Sequence, residues 1–146
     1  MGMRLSLYVL PKEKAKEMWL MQSDDSLWEH IDQLEQIAHD FCTDAMWDVC
    51  KQMKRLTKSK LDIECDVVIG KMSLAEFDIF LDRIKWYAER QIRESDNPLF
   101  WWDIIRPSDN EWRLCQTQDW IGAYFQGWYI RKKMDWENNY ILFDIG

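Results

Sequence analysis

The stretch SLAEFDIFLDRIKWYAERQIRE at residues 73–94 restricts the fold more than any other part of the chain. Ser73 and Glu76 make an S-x-x-E capping box, in which the hydroxyl accepts a free backbone N–H at N3 and the carboxylate reaches back to the cap. Leu74, Phe77, Phe80, Leu81, Ile84, Tyr87 and Ala88 then recur at three- and four-residue steps, the signature of one apolar helix face. Asp78, Asp82, Lys85, Glu89 and Arg93 take the other face, with Asp82 and Lys85, and Glu89 and Arg93, spaced for weak ion pairs. Ile79 and Trp86 widen the apolar side, so cover on more than one flank is expected.

A helix of this kind needs a layer to lie on, and the flanking sequence supplies strands. MRLSLYVL at residues 3–10 is rich in strand formers with no clean single face, which predicts a strand covered on both sides. Pro11 suits the first position of a helix reaching about Met21, with Ala15, Met18 and Trp19 inward. Ser23, Asp24 and Asp25 cap the next element. Leu27, Ile31, Leu34, Ala38, Phe41, Ala45, Val49, Met53 and Leu56 keep the helical period, which reads as one long helix or as two meeting near Thr43 and Asp44. The break is favoured, because globular helices that long are uncommon.

LDIECDVVI at residues 61–69 reads as a strand, and Gly70 as a turn before the capped helix. LFWWDII at residues 99–105 is a buried extended piece or one helical turn; its period does not choose between them. A last helix is predicted over residues 119–134, with Trp120, Ile121, Tyr124, Phe125 and Trp128 inward and Arg131, Lys132 and Lys133 closing it. YILFDI at residues 140–145 ends the chain as a strand, placed beside the N-terminal one. The expected fold is α+β: a single domain over residues 1–146, with a small sheet that includes both terminal strands, packed by four to six helices.

Composition narrows the function classes. A chain of 146 residues can bury a real core, and a net charge of −7 disfavours general attraction to nucleic acid or anionic membrane. The MGMRLSLYVL run is cut by Pro11 and KEK, so a cytoplasmic protein without a membrane span is expected. The opening M-G-x-x-x-S matches a myristoylation pattern, read here as coincidence in a bacterial or phage protein. Cys42, Cys50, Cys65 and Cys115 show no C-x-x-C and read as reduced thiols. A set of His39, Cys42, Cys50 and Cys65 fits no common zinc spacing, so neither metal nor cofactor is expected.

Catalytic patterns are absent: no P-loop, G-x-G-x-x-G, G-x-S-x-G or H-E-x-x-H occurs. The two histidines, His30 and His39, fall nine residues apart within one helical pattern and so point to unrelated sides. That weighs against an enzyme. Ten tryptophans, by contrast, exceed what one core can take; most belong to the core and its edge, and the rest suit a partner surface. Trp112, Trp120, Trp128 and Trp136 recur every eight residues, a spacing that spirals round a helix and makes no repeat.

The order of segments resembles the small bacterial YfbM-like family: an MGM start with an early strand, AMWDV, MSLAEFDIFLDRI, IIRP, WIGAYFQGWY and a closing NNYILFDIG. The likeness covers about two thirds of the chain, with a shorter middle region here and no leucine–histidine pair after AMWDV. It implies a mixed α+β fold with no assigned activity, and so it transfers no site residues.

The leading functional expectation is a non-enzymatic protein that binds a macromolecular partner, of the immunity-protein or phage-accessory type. Trp101, Trp102 and Trp112 would anchor it, and Asp103, Asp109 and Glu111 would steer a basic protein partner. A second reading is an enzyme or small-molecule binder with a pocket beside the sheet. A third is anion or nucleic-acid contact through Lys51, Lys54, Arg55 and Lys58, part of the basic run at residues 51–60; these charges also suit a helix C-terminus. Nothing in the pattern speaks to oligomeric state.

Overall fold

The computed structural model describes residues 5–20, 24–41, 44–57, 60–62, 67–94, 115–116 and 120–146. At the centre lie the chain's two end strands, β1 (Leu5–Pro11) and β6 (Asn139–Ile145). They pair antiparallel along their full length, from Leu5 opposite Ile145 to Pro11 opposite Asn139. On one side β6 pairs antiparallel with β4 (Val67–Met72), which carries the short edge strand β3 (Lys60–Asp62). On the other side β1 pairs antiparallel with β2 (Glu35–Phe41), and β5 (Cys115–Gln116) lies parallel to β2. The sheet order is therefore β3-β4-β6-β1-β2-β5.

Both faces of the central pair are apolar, as MRLSLYVL implied, and each face has its own helices. Leu10, Ile69 and Leu142 meet Ala15 and Met18 of α1 (Lys12–Leu20) and Leu27 and Ile31 of α2 (Asp24–Asp32). The alternate residues Leu5, Leu7, Ile141, Phe143 and Ile145 meet α3 (Asp44–Thr57), α4 (Leu74–Arg93) and α5 (Trp120–Lys133). The result is a three-layer α+β fold with five helices among the described residues. No described helix is long and apolar enough to cross a membrane.

The cap of α4 forms as the sequence specified: Glu76 N–H donates to Ser73 Oγ at 3.3 Å and Ser73 N–H donates to Glu76 Oε1 at 2.9 Å. Phe77, Phe80, Leu81, Ile84 and Ala88 are buried. The ion pairs on this helix are not the ones its spacing suggested. Asp78 instead receives Arg131 of α5 at 2.8 Å, and Arg90 pairs with Glu94 at 3.1 Å.

Four expectations need correction. The helical period across residues 27–56 is interrupted by β2, so His39 lies on a strand; the break at Asp44 is real, but the segment before it is extended. Residues 61–69 are not one strand: β3 and β4 are the two arms of an antiparallel pair. Pro11 closes β1 instead of opening α1, and Lys12 N–H donates across to Asn138 O at 2.9 Å. In α5 the buried residues are Ala123, Phe125, Gln126, Gly127, Tyr129 and Ile130, so Phe125 is inward as expected, while Trp120, Tyr124 and Trp128 are half-buried at its flanks.

The last of these has a close-approach cause. A Cβ on Gly127 would come within 2.6 Å of Leu81 Cδ1, so α5 lies nearer α4 than large side chains allow. Small residues take the contact, and the indoles are displaced sideways. The buried Gln126 is satisfied because its Nε2–H donates to Ile37 O at 2.8 Å.

Candidate functional site

On the outer side of the helical layer, α3 and α4 part to leave a cleft of about 420 Å³. From α3 come Val49 and Gln52. This helix turns Val49, Cys50 and Met53 inward, and Gln52 follows at the edge of that buried stripe. From α4 come Ile79, Asp82, Arg83, Trp86 and Tyr87, the back of a helix whose front is fully buried. Ile79 and Trp86 are 40% and 52% exposed, so the cover expected over them is not provided by any described residue. Leu56, 49% exposed on α3, adds to the apolar surface outside the core.

The aromatic wall is braced. Trp86 meets Tyr87 edge-on, with centroids 4.9 Å apart, and Tyr87 stacks on Trp120 at 4.3 Å with planes 16° apart. Trp120 is itself tied to α4, because its backbone N–H donates to Gln91 Oε1 at 3.1 Å. The Arg90 guanidinium stands 5.8 Å from the centre of the Trp86 ring. Three rings are thus fixed in relation to one another before anything binds.

Arg83 is the unusual group in this cleft. Its Nε is enclosed, with no hydrogen-bond acceptor among the described residues. Leaving a buried donor unmade costs on the order of 1–3 kcal/mol, so the group stands ready for an acceptor from outside. Its neighbours at three and four residues along the helix are Ile79, Phe80, Trp86 and Tyr87, none of them an acid.

The sequence-derived candidates are placed as follows. Trp101, Trp102, Asp103, Asp109, Glu111 and Trp112 lie outside the described residues, as does Lys58. Lys51 and Arg55 are exposed and Lys54 is half-buried on α3, the helix that supplies one wall, but none of them lines the cleft. His30 is on α2, its Nδ1 2.8 Å from Ser26 O and its Nε2 3.8 Å from Glu17 Oε1. Cys50 is buried and its thiol is pushed up by desolvation, which makes it inert. Cys42 and Cys65 are outside the described residues, and among those that are described no three metal-binding side chains gather.

A second polar cluster sits on the opposite face of the sheet. Asp144 of β6 is half-buried and hydrogen-bonds Tyr8 of β1, with Asp32 of α2 near enough to add repulsion. Burial first, and then the Asp32 charge, push the Asp144 carboxyl up to about 6 against the favourable Tyr8 bond. Burial and the Asp144 charge raise the Tyr8 phenol to about 12.

Sequence reasoning missed Arg83. The available signal was Ile79 and Trp86, apolar residues on the back of a helix that already had a complete inner face, with an arginine between them. Searched against protein-family models, curated proteins and solved structures, the chain matches none of them.

Proposed function

We propose that the protein is a ligand-binding module that takes a small molecule into the α3–α4 cleft. The observation that carries this reading is the enclosed, acceptor-less Nε of Arg83 inside a cleft with a braced aromatic wall. Its volume falls within the range of small-molecule sites, which pair apolar walls with a few placed polar groups. This takes up the small-molecule alternative in place of the macromolecular partner expected from Trp101, Trp102 and Trp112. It also moves the site: the pocket lies between two helices and not beside the sheet.

The test is ligand-observed NMR with a set of small aromatic compounds, charged and neutral. Wild type should show binders, and Gln52→Trp, which fills the cleft from the α3 side, should lose them while keeping its circular dichroism spectrum and thermal midpoint. Binders that engage the Gln52→Trp protein as well as wild type would place the site elsewhere.

A further inference from the structure

We infer that the cleft is built for a planar aromatic acid, with its carboxylate on Arg83 and its ring against Trp86 and Tyr87; this rests on the cleft reading above.

Among the described residues, Arg83 Nε meets no acceptor. A half-buried guanidinium ordinarily finds a carboxylate within its own fold. Here the helical neighbours of Arg83 are apolar or aromatic, and the facing α3 wall offers Val49 and Gln52. Elsewhere on α4, Asp78 holds Arg131 and Glu94 holds Arg90. Asp82 also lines the cleft, yet it makes no hydrogen bond to the enclosed Nε. A carboxylate presents two oxygens in one plane, which matches the guanidinium fork and supplies the acceptor that Nε lacks. Lys51, Lys54 and Arg55 on the neighbouring helix add positive charge of the same sense.

The ring is argued from the wall. Trp86 is half exposed and held edge-on by Tyr87, which is held in turn by Trp120. An aromatic ligand extends this set of rings with offset or edge contacts, at little cost in ordering because the wall is fixed beforehand. A bicyclic acid is smaller than the 420 Å³ available.

Isothermal titration with 1-naphthoate and 1-naphthamide, which share a ring and differ in charge, separates the two halves of the inference. Wild type should bind naphthoate about tenfold or more tightly than naphthamide, the usual range for one charge-assisted contact. Arg83→Gln should bring the two to parity by weakening naphthoate alone. Because Arg83 Nε has no acceptor among the described residues, the variant should have a thermal midpoint no lower than wild type. Inorganic phosphate, an anion without a ring, should fail to displace naphthoate.

Equal binding of both probes, lost in Gln52→Trp, would overturn the acid and leave the cleft standing. Displacement by phosphate as effective as by unlabelled naphthoate would overturn the ring. Naphthoate bound equally well by Gln52→Trp would overturn the cleft itself, and no binding of either probe would overturn the ligand class.

Discussion

Asp144 and Arg83 are opposite solutions to placing charge in a folded chain. Arg83 lies beside a cleft that can admit a partner, whereas Asp144 is set in the packed face between β6 and α2 and resists ionising there. The unfolded chain binds the Asp144 proton with the ordinary value of 3.8, and the folded chain with a value of about 6. The folded state therefore holds the extra proton between those values, so this group's contribution is fully present below pH 4 and is lost as pH rises through 6. At neutral pH the ionised carboxylate is a net burden. Asp144→Asn keeps an oxygen for the Tyr8 hydroxyl and removes the charge. It should raise unfolding stability by about 2 kcal/mol at pH 7–8, with the gain vanishing toward pH 4. Urea melts across that range check it, and a variant no more stable than wild type at pH 8 would refute the account.

At the level of elements, the contact between α4 and α5 sets where the aromatic residues go. Apolar side chains occur all round α5, so its period did not select a face; of the large residues expected inward, Phe125 is buried, but Trp120, Tyr124 and Trp128 are only half-buried. What selects the face is Gly127 against Leu81, a fact about two helices together and not about either alone. β2 was hidden for a similar reason. In EQIAHDF, Ala38 and Phe41 continue the helical spacing of Leu27, Ile31 and Leu34, and only pairing with β1 makes the segment extended. By contrast α4 and both terminal strands were legible, because capping chemistry or a run of strand formers marks each within its own residues. Arg83 was not legible as a site residue, since its meaning depends on the gap between α3 and α4.

The Gly127 contact makes a sign-changing prediction. Gly127→Ala gains about 1 kcal/mol of helix propensity but forces the Leu81 side chain to move, at about 1–3 kcal/mol, so a net loss of about 1 kcal/mol is expected. In a Leu81→Ala background the obstructing methyl is gone, and the same substitution should stabilise by about 1 kcal/mol. The double-mutant cycle, read from denaturant midpoints, must show this reversal if the close approach is real.

Over the whole molecule, the pairing of β1 with β6 joins the chain's two ends at the middle of the sheet, so the central strands are those farthest apart in sequence. Leu10, Leu142, Phe143 and Ile145 are enclosed by helices on both sides, which places the two cores on opposite faces of a single pair of strands. Nothing local holds that pair, and closing so long a loop is slow. Once formed, it can open only if both helical layers come away. The strands β3 and β5 are short and, among the described residues, each has one neighbour, so they can fray without disturbing either core. Native-state hydrogen exchange should therefore grade the sheet from its centre outward. Backbone amides of Leu7, Val9, Ile141 and Phe143 should exchange only through global unfolding, with a denaturant dependence equal to that of the whole protein. Those of Lys60 to Asp62 should exchange through local opening that is insensitive to denaturant. If the central amides exchanged as readily as the edge ones, the chain ends would not be the keystone of this sheet, and the two helical layers would have to be stable without them.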